Sequence, residues 1–258
     1  MMDCVVLAGG VPQKEDLLYS HTQGGPKALI ELAGKPMVQW VLDALDHAPS
    51  VHRIIVVGLG KESGVTAAKL TDYVLDQGAM LSNVIAGTEK ALTLNPGAPQ
   101  LLLCSADIPL IKPGMVENLI RLCPDPGVDL YHSVVSRSAM ENRFPESRRS
   151  YAKFLDGEYA AGDMHIIAPA IAFKHSDLWD ALMSNRKSVI KQAFNLGPGF
   201  LLKYVRGRLS LDALQHRVLE KFDLNVRVVP VDSPEMGMDA DKPFQLDICR
   251  NELEQGSG

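Results

Sequence analysis

Three short runs of apolar residues, none interrupted by a polar side chain, constrain the fold of this 258-residue chain more than any other feature. They lie at residues 5–8, 54–57 and 101–104, and stretches with helical spacing of apolar residues, 36–47 and 80–92, separate them. Strands that are apolar on both faces are typical of parallel sheets covered by helices on both sides. Because right-handed crossovers join such strands, the sequence predicts an α/β fold with a three-layer, doubly wound, mostly parallel sheet.

Further elements extend this pattern toward the carboxyl terminus. Strands are predicted at residues 72–75, 163–168 and 226–231, and helices at 113–122, within 178–222 and after 243. The stretch 178–222 is interpreted as a helical insertion. Because no repeat, low-complexity segment or Pro/Gly-rich linker interrupts the chain, we expect a single domain over residues 1–258 with an elaborated second half.

Charge and cysteine content narrow the class of protein. Lys and Arg number 26 against 31 Asp and Glu, a formal net charge of −5, which argues against a uniformly basic nucleic-acid-binding protein. No apolar stretch approaches the roughly 18–20 residues of a membrane span, and the amino terminus lacks signal-peptide character.

The four cysteines lie far apart without a CxxC pair, and we interpret Cys4 and Cys104 as reduced core thiols. We expect a cytoplasmic enzyme or binding protein for small molecules, with no nucleic-acid or membrane partner and an oligomeric state that the sequence leaves open.

The first candidate site is the loop that follows the first apolar run. Gly9 and Gly10 end that run, and Lys27 follows in a second glycine-containing segment. Glycines let the backbone approach a base or phosphate, and a lysine at the same edge of the sheet supplies positive charge. A surface loop with turn glycines and a solvated lysine is the alternative, because the segment matches neither GxGxxG nor a Walker A sequence.

Carboxylates form the second and third candidates. Asp107 follows the apolar run at 101–104, at the edge where parallel α/β sheets bind ligands, and is a candidate ligand for a divalent cation. Asp239 and Asp241 precede a Lys-Pro pair near the carboxyl terminus. Each aspartate alone is also typical of a turn or a helix cap, so the hypothesis depends on their joint placement.

The order of these segments resembles a known family. LAGG at residues 7–10, PKALIELAGKPM at 26–37 and SADIP at 105–109 are similar to the motifs of the MobA-like NTP transferases, nucleotidyltransferases with a GT-A-like fold. The resemblance covers the first 122 residues and resumes at Asp163 and at DADKPFQL, which begins at Asp239. It implies a nucleotide-binding half at 1–124 and an acceptor-binding half at 125–258.

The resemblance also implies a reaction: Mg²⁺-dependent transfer of an NMP group from an NTP to a small phosphorylated acceptor, with release of pyrophosphate. The implied nucleotide-binding residues are Leu7, Ala8, Gly9, Gly10, Lys27, Gly78 and Asn83. The implied Mg²⁺ ligands are Asp107 and Asp241, with Asp239 in reserve, and the implied acceptor-binding residues are Gly162 and Asp163. Two unscreened carboxylates would repel each other, so we expect a raised pKa for at least one of the metal ligands in the metal-free protein.

Two positions depart from the family pattern. Members of the family usually have an arginine a few residues after the double glycine, whereas here only Lys14 is available for that role. The implied catalytic residues are therefore Lys14, Lys27 and Asp107. Asp163 stands where many relatives have an amide. These departures keep open a non-catalytic nucleotide-binding or regulatory protein on the same fold. A nicotinamide-dependent dehydrogenase is disfavoured, since no glycine-rich helix follows Gly10 directly. His132 and His165 lie in predicted strands and are interpreted as structural.

Overall fold

The computed structural model describes residues 1–174 and 198–256, and its centre is an eight-stranded mixed sheet. Seven strands follow the order β10-β7-β9-β6-β1-β4-β5, and β8 pairs with β9. The sheet strands are β1 (Met2–Leu7), β4 (Val51–Val57), β5 (Leu70–Val74), β6 (Leu101–Ser105), β7 (Leu130–Ser136), β8 (Ala152–Phe154), β9 (Gly157–Ile167) and β10 (Val226–Val231). A separate two-stranded hairpin joins β2 (Glu31–Leu32) to β3 (Lys35–Pro36).

The predicted parallel core is confirmed. β1 pairs in parallel with β4 and β6, β4 pairs in parallel with β5, and β7 pairs in parallel with β10. β9 lies between β6 and β7 and is antiparallel to both, with Met164 opposite Cys104. Because β9 runs in the opposite direction, its first residues lie at the edge where the parallel strands end. The structure thus adds one reversed strand to the predicted parallel sheet.

Helices cover the sheet as the apolar patterns predicted. They are α1 (Tyr19–Thr22), α2 (Met37–Asp46), α3 (Met80–Leu94), α4 (Pro113–Leu122), α5 (Arg137–Arg143), α6 (Pro198–Val205), α7 (Leu211–Phe222) and α8 (Pro243–Gln255). Of the helical insertion predicted at 178–222, the part from 178 to 197 lies outside the described residues. The remainder forms α6 and α7. No helix in the described ranges is long and apolar enough to cross a membrane.

Neighbouring residues of β1 pack on opposite faces of the sheet, as expected for a strand buried on both sides. Val6 belongs to the larger apolar cluster, which includes Leu42 of α2 and Leu119 of α4. Val5 belongs to the cluster on the other face with Val84 of α3. All four cysteines are buried and free, which agrees with their interpretation as thiols.

Two histidines face each other across β7 and β9. His132 is opposite His165 in the strand register, and their rings stack with centroids 4.5 Å apart. Burial lowers the pKa of His132 to about 4 and that of His165 well below its ordinary value. Both rings are therefore neutral at physiological pH, which agrees with a structural role.

The contact of α3 with the sheet depends on Gly87. A Cβ atom at this position would lie 2.5 Å from Val5 Cγ1 and 2.8 Å from Val57 Cγ2, which is closer than van der Waals contact. We expect Gly87→Ala to lower the free energy of unfolding by about 1–3 kcal/mol through overpacking. Urea unfolding measures this. Gly114→Ala in α4 is the matched control, because a Cβ there meets nothing within 4 Å. A stabilising effect of similar size in both variants would contradict the close contact.

Candidate functional site

The loop after β1 begins as a continuation of the sheet and then opens to solvent. The N–H of Ala8 donates to Val57 O at 2.7 Å, and the N–H of Ala106 donates to Leu7 O at 3.0 Å. Gly9 and Gly10 follow and are exposed. The N–H of Lys27 donates to Gly10 O at 2.9 Å, so the returning segment lies directly beside the double glycine.

Asn83 and Gly9, both in the predicted nucleotide-binding set, lie side by side. A Cβ atom on Gly9 would lie 2.4 Å from Asn83 Nδ2 and 2.5 Å from Asp76 Oδ1, so a larger residue does not fit there. The amide of Asn83 is engaged within the loop before α3: it donates to Asp76 Oδ1 and accepts from the N–H of Gln77, both at 2.7 Å. Gly78 lies exposed in that loop with a φ of +79°, a left-handed conformation. Asn83 therefore fixes the loop before α3 directly beside Gly9.

Lys27 bridges two carboxylates from distant parts of the chain. Its Nζ donates to Asp107 Oδ2 at 2.6 Å and to Asp241 Oδ1. The backbone fixes this meeting point, because the N–H of Ala240 donates to Asp107 O at 2.9 Å. Ser105 Oγ donates to Asp107 Oδ1 at 2.5 Å and so orients the carboxylate. Asp107 and Asp241, predicted to share one cation, thus converge on a single ammonium group.

These ion pairs shift the pKa values of Lys27 and Asp107. Burial alone would lower the pKa of Lys27, but the charges of Asp107 and Asp241 outweigh it and raise that pKa above its ordinary value. Burial likewise opposes ionisation of Asp107, yet Lys27 and Ser105 hold the pKa of Asp107 below its usual range. The expectation of a raised pKa is therefore wrong for Asp107, because Lys27 screens the two carboxylates from each other.

A second ion-pair group lies next to the first. Arg149 Nη1 pairs with Asp239, and Arg149 Nη2 lies 3.9 Å from Asp163 Oδ2. Asp239, predicted as the reserve metal ligand, thus pairs with a guanidinium. Gln245 links the segment before Arg149 to Asp241: its Nε2 donates to Ser147 O at 3.3 Å, and its Oε1 accepts from the N–H of Asp241 at 3.1 Å.

Arg149 is a site residue that the sequence analysis missed. Its only signal in the sequence is membership of a stretch rich in arginine, which includes Arg137, Arg143 and Arg148. Nothing in the spacing distinguishes Arg149 from those neighbours or pairs it with Asp239. The other predicted cation, Lys14, is exposed and forms no ion pair with any residue of the described ranges.

Among the four carboxylates of this region, Asp163 has the weakest pairing with a basic side chain. Burial raises its pKa to about 7, and the negative charge of Asp107 adds to the effect. Its Oδ2 is buried and has no hydrogen-bond partner among the described residues. Gly162, the other predicted acceptor-binding residue, is buried and packs against Ser133: a Cβ there would lie 2.2 Å from Ser133 Oγ. Of the two, Asp163 is therefore the residue with a buried polar atom that lacks a hydrogen-bond partner among the described residues.

The charges of the two groups do not balance. Four carboxylates (Asp107, Asp163, Asp239 and Asp241) meet two basic side chains, Lys27 and Arg149. With Asp163 ionised, two negative charges remain in excess, which equals the charge of one divalent cation. Within the described ranges, however, no three His, Cys, Asp or Glu side chains are arranged as a ready metal site. Carboxylate oxygens suit Mg²⁺, and Asp107 and Asp241 already point at one cationic centre, so this pair fits such an ion.

The raised pKa of Asp163 makes stability depend on pH. Between about pH 4 and 7 the folded protein retains a proton that the unfolded chain loses, so this carboxyl group lowers the free energy of unfolding as pH rises. We expect Asp163→Asn to match the wild type near pH 4 and to exceed it at pH 8 by more than about 1.4 kcal/mol. Urea unfolding at both pH values measures this, with Asp232→Asn at an exposed position as the control. An equal difference at both pH values would show that Asp163 titrates normally.

Comparisons with solved structures place the fold. A hypothetical transferase from Thermus thermophilus is 29% identical, with a TM-score of 0.79 over 95% of this chain and 99% of that one. CMP:2-keto-3-deoxy-manno-octonic acid synthetase, solved with CTP, is 15% identical, with a TM-score of 0.63 over 99% of this chain and 100% of that one. At that identity the second match shows the fold alone. The architecture is therefore the GT-A-like nucleotidyltransferase fold.

Comparisons of sequence identify the family. The bifunctional protein GlmU of Zymomonas mobilis is 26% identical over 159 residues, which are 60% of this chain and 32% of that protein. GlmU of Caldanaerobacter subterraneus is 29% identical over 132 residues, which are 49% of this chain and 26% of that protein. The matched segments thus span a third or less of these curated relatives. The model of the MobA-like NTP transferase domain matches residues 4–192. The chain belongs to the MobA-like NTP transferase family.

Proposed function

We propose that this protein catalyses Mg²⁺-dependent transfer of an NMP group from an NTP to a small phosphorylated acceptor, with release of pyrophosphate. The observation that carries the proposal is the convergence of Lys27, Asp107 and Asp241 at the carboxyl ends of β1 and β6. This is the edge of an α/β sheet at which ligands bind. The match to the MobA-like NTP transferase domain supports the reaction class.

The nucleotide binds at the loop after β1 and the adjoining loop before α3. Leu7 and Ala8 anchor the first loop to the neighbouring strands, and the exposed backbone of Gly9 and Gly10 is free to approach the base and phosphates. Asn83 holds the loop before α3 in place through its hydrogen bonds with Asp76 and Gln77. The ammonium group of Lys27 contacts the triphosphate and stabilises the charge that develops on the departing pyrophosphate.

Asp107 and Asp241 are the residues that would hold the divalent cation. Their carboxylates are oriented before any ligand arrives, Asp107 by Ser105 and Asp241 by the bond from its N–H to Gln245. When bound, a Mg²⁺ ion supplies charge neutralisation on the phosphate oxygens. The excess of two negative charges around these residues agrees with that role.

The acceptor enters from the side of β9. Asp163 lies in that strand beside Met164, which is opposite Cys104 near the end of β6, and its charge interacts with that of Asp107. Arg149 Nη2 lies 3.9 Å from Asp163 Oδ2, so a guanidinium group is available beside this carboxylate. The acceptor's phosphate oxygen attacks the α-phosphate in line, a P–O bond forms, and the bond to pyrophosphate breaks. An ionised phosphate requires no general base, so the protein contributes alignment and charge compensation.

A non-catalytic nucleotide-binding or regulatory protein is the second candidate. It is favoured by one observation: Lys14, which stands in place of the loop arginine, is exposed and without an ion-pair partner in the described part of the chain. This candidate and the enzyme share the nucleotide site. They differ in whether pyrophosphate appears when an acceptor is supplied.

The reaction is tested by pyrophosphate release across the four NTPs and a panel of sugar and cofactor phosphates, with and without Mg²⁺. We expect release in Mg²⁺ for one pair of substrates, and a loss of kcat of about 100-fold or more in Asp107→Asn. Asp72→Asn is the matched control, because Asp72 pairs with Lys90 on the sheet edge at β5. NTP binding in a thermal-shift assay, without turnover of any pair, would favour the non-catalytic protein.

Lys14 has a test of its own. If the loop closes over the triphosphate, Lys14→Ala lowers kcat, whereas Lys14→Arg keeps or raises it, because a guanidinium binds phosphate through two parallel hydrogen bonds. Steady-state pyrophosphate release under the same conditions measures both variants. Two variants indistinguishable from the wild type would remove Lys14 from the mechanism while leaving Lys27 in place.

A further inference from the structure

The ammonium group of Lys27 occupies the position between Asp107 and Asp241 where a divalent cation would lie. One Nζ contacts both carboxylates, and the Lys27 side chain is only 17% exposed. The backbone of all three residues is held in place: the N–H of Lys27 donates to Gly10 O, the N–H of Ala240 donates to Asp107 O, and the N–H of Asp241 donates to Gln245. The long lysine side chain is therefore the part of this arrangement that is able to move.

A cation that takes both carboxylates leaves the Lys27 ammonium without its partners. An unpaired charge in a largely buried position is strongly destabilising. The cation and the ammonium group therefore exclude each other unless Lys27 receives another anion. The phosphates of a nucleotide beside Gly10 are such an anion, because Lys27 and Gly10 are already hydrogen-bonded through their backbones.

We propose that Lys27 keeps divalent cations out of the nucleotide-free protein, so that the site accepts the metal only together with a triphosphate that draws Lys27 away. The ligand of the free protein is then the metal–triphosphate chelate, and the bare ion is excluded. This inference rests on the proposed function only in its assignment of Lys27 to phosphate and of Asp107 and Asp241 to metal.

Thermodynamic linkage gives the inference a measurable form. If the triphosphate raises the affinity of the protein for the metal, the metal raises its affinity for the triphosphate by the same factor. Removing the ammonium group breaks the competition, so a variant without it binds the bare ion. Methionine is the suitable replacement, because it retains an unbranched apolar stem and loses the charge.

The experiment is a titration of nucleotide-free protein with Mn²⁺, followed by electron paramagnetic resonance of the free ion. We expect Lys27→Met to bind one Mn²⁺ at least tenfold more tightly than the wild type. Adding Asp241→Asn to Lys27→Met should return the affinity to the wild-type value. Lys90→Met is the matched control: it breaks a Lys–Asp pair with a single carboxylate, Asp72, and should leave Mn²⁺ binding unchanged.

A second measurement uses the wild-type protein alone. Mn²⁺ together with inorganic tripolyphosphate should enhance water-proton relaxation on addition of the protein, whereas Mn²⁺ alone should not. Wild-type binding of bare Mn²⁺ that Asp107→Asn abolishes would overturn the proposal, even if circular dichroism showed that Lys27→Met does not fold. Folded Lys27→Met with the Mn²⁺ affinity of the wild type would also overturn it.

These outcomes are separable from those of the proposed function. A wild type that releases pyrophosphate but whose Lys27→Met variant gains no Mn²⁺ site refutes the exclusion role alone. A Lys27→Met variant that gains the site, in a protein that turns over no substrate pair, refutes catalysis alone.

Discussion

The shared ion pair of Lys27 with Asp107 and Asp241 is the interaction on which the site depends. It joins the segment after the double glycine, the end of β6 and the loop before α8 at one point. Because Lys27 is largely buried, its charge requires these partners, and because the two carboxylates are close together, they require a cation between them. Lys27 therefore holds the two carboxylates at one point, and their charges in turn keep the buried ammonium group protonated.

The sheet makes this meeting point possible. Parallel pairing of β1 and β6 brings Gly9 and Asp107 to the same edge, and the reversed strand β9 delivers Asp163 to that edge from the other direction. Close packing at glycines completes the geometry: Gly87 lets α3 lie on β1 and β4, and Gly9 lets the first loop touch Asn83. Because helices cover both faces of the sheet, the polar residues of the site lie at the edge where the parallel strands end.

Arg149 and Asp163 form, with Asp239, a second charged group beside the proposed acceptor site. Arg149 compensates Asp239 but stays 3.9 Å from Asp163, whose pKa is raised to about 7 by burial and by Asp107. The carboxyl group of Asp163 thus changes charge near neutral pH, next to the excess negative charge of the cluster. Ionisation of Asp163 therefore adds one negative charge beside Asp107.

The sequence by itself determined the α/β architecture, the order of its main elements and the family. These features follow from short segments of sequence: an apolar run such as residues 101–104 indicates a buried strand, and the motif around Lys27 identifies the loop that follows the double glycine. It also predicted that Asp107 and Asp241 would lie near one cation, although not that the cation would be Lys27; their binding of Mg²⁺ and the single-domain boundary stay predictions. Only the tertiary structure paired Arg149 with Asp239 and raised the pKa of Asp163. Those properties arise from distances between residues far apart in the chain and from exclusion of water, and neither quantity is written in local sequence patterns.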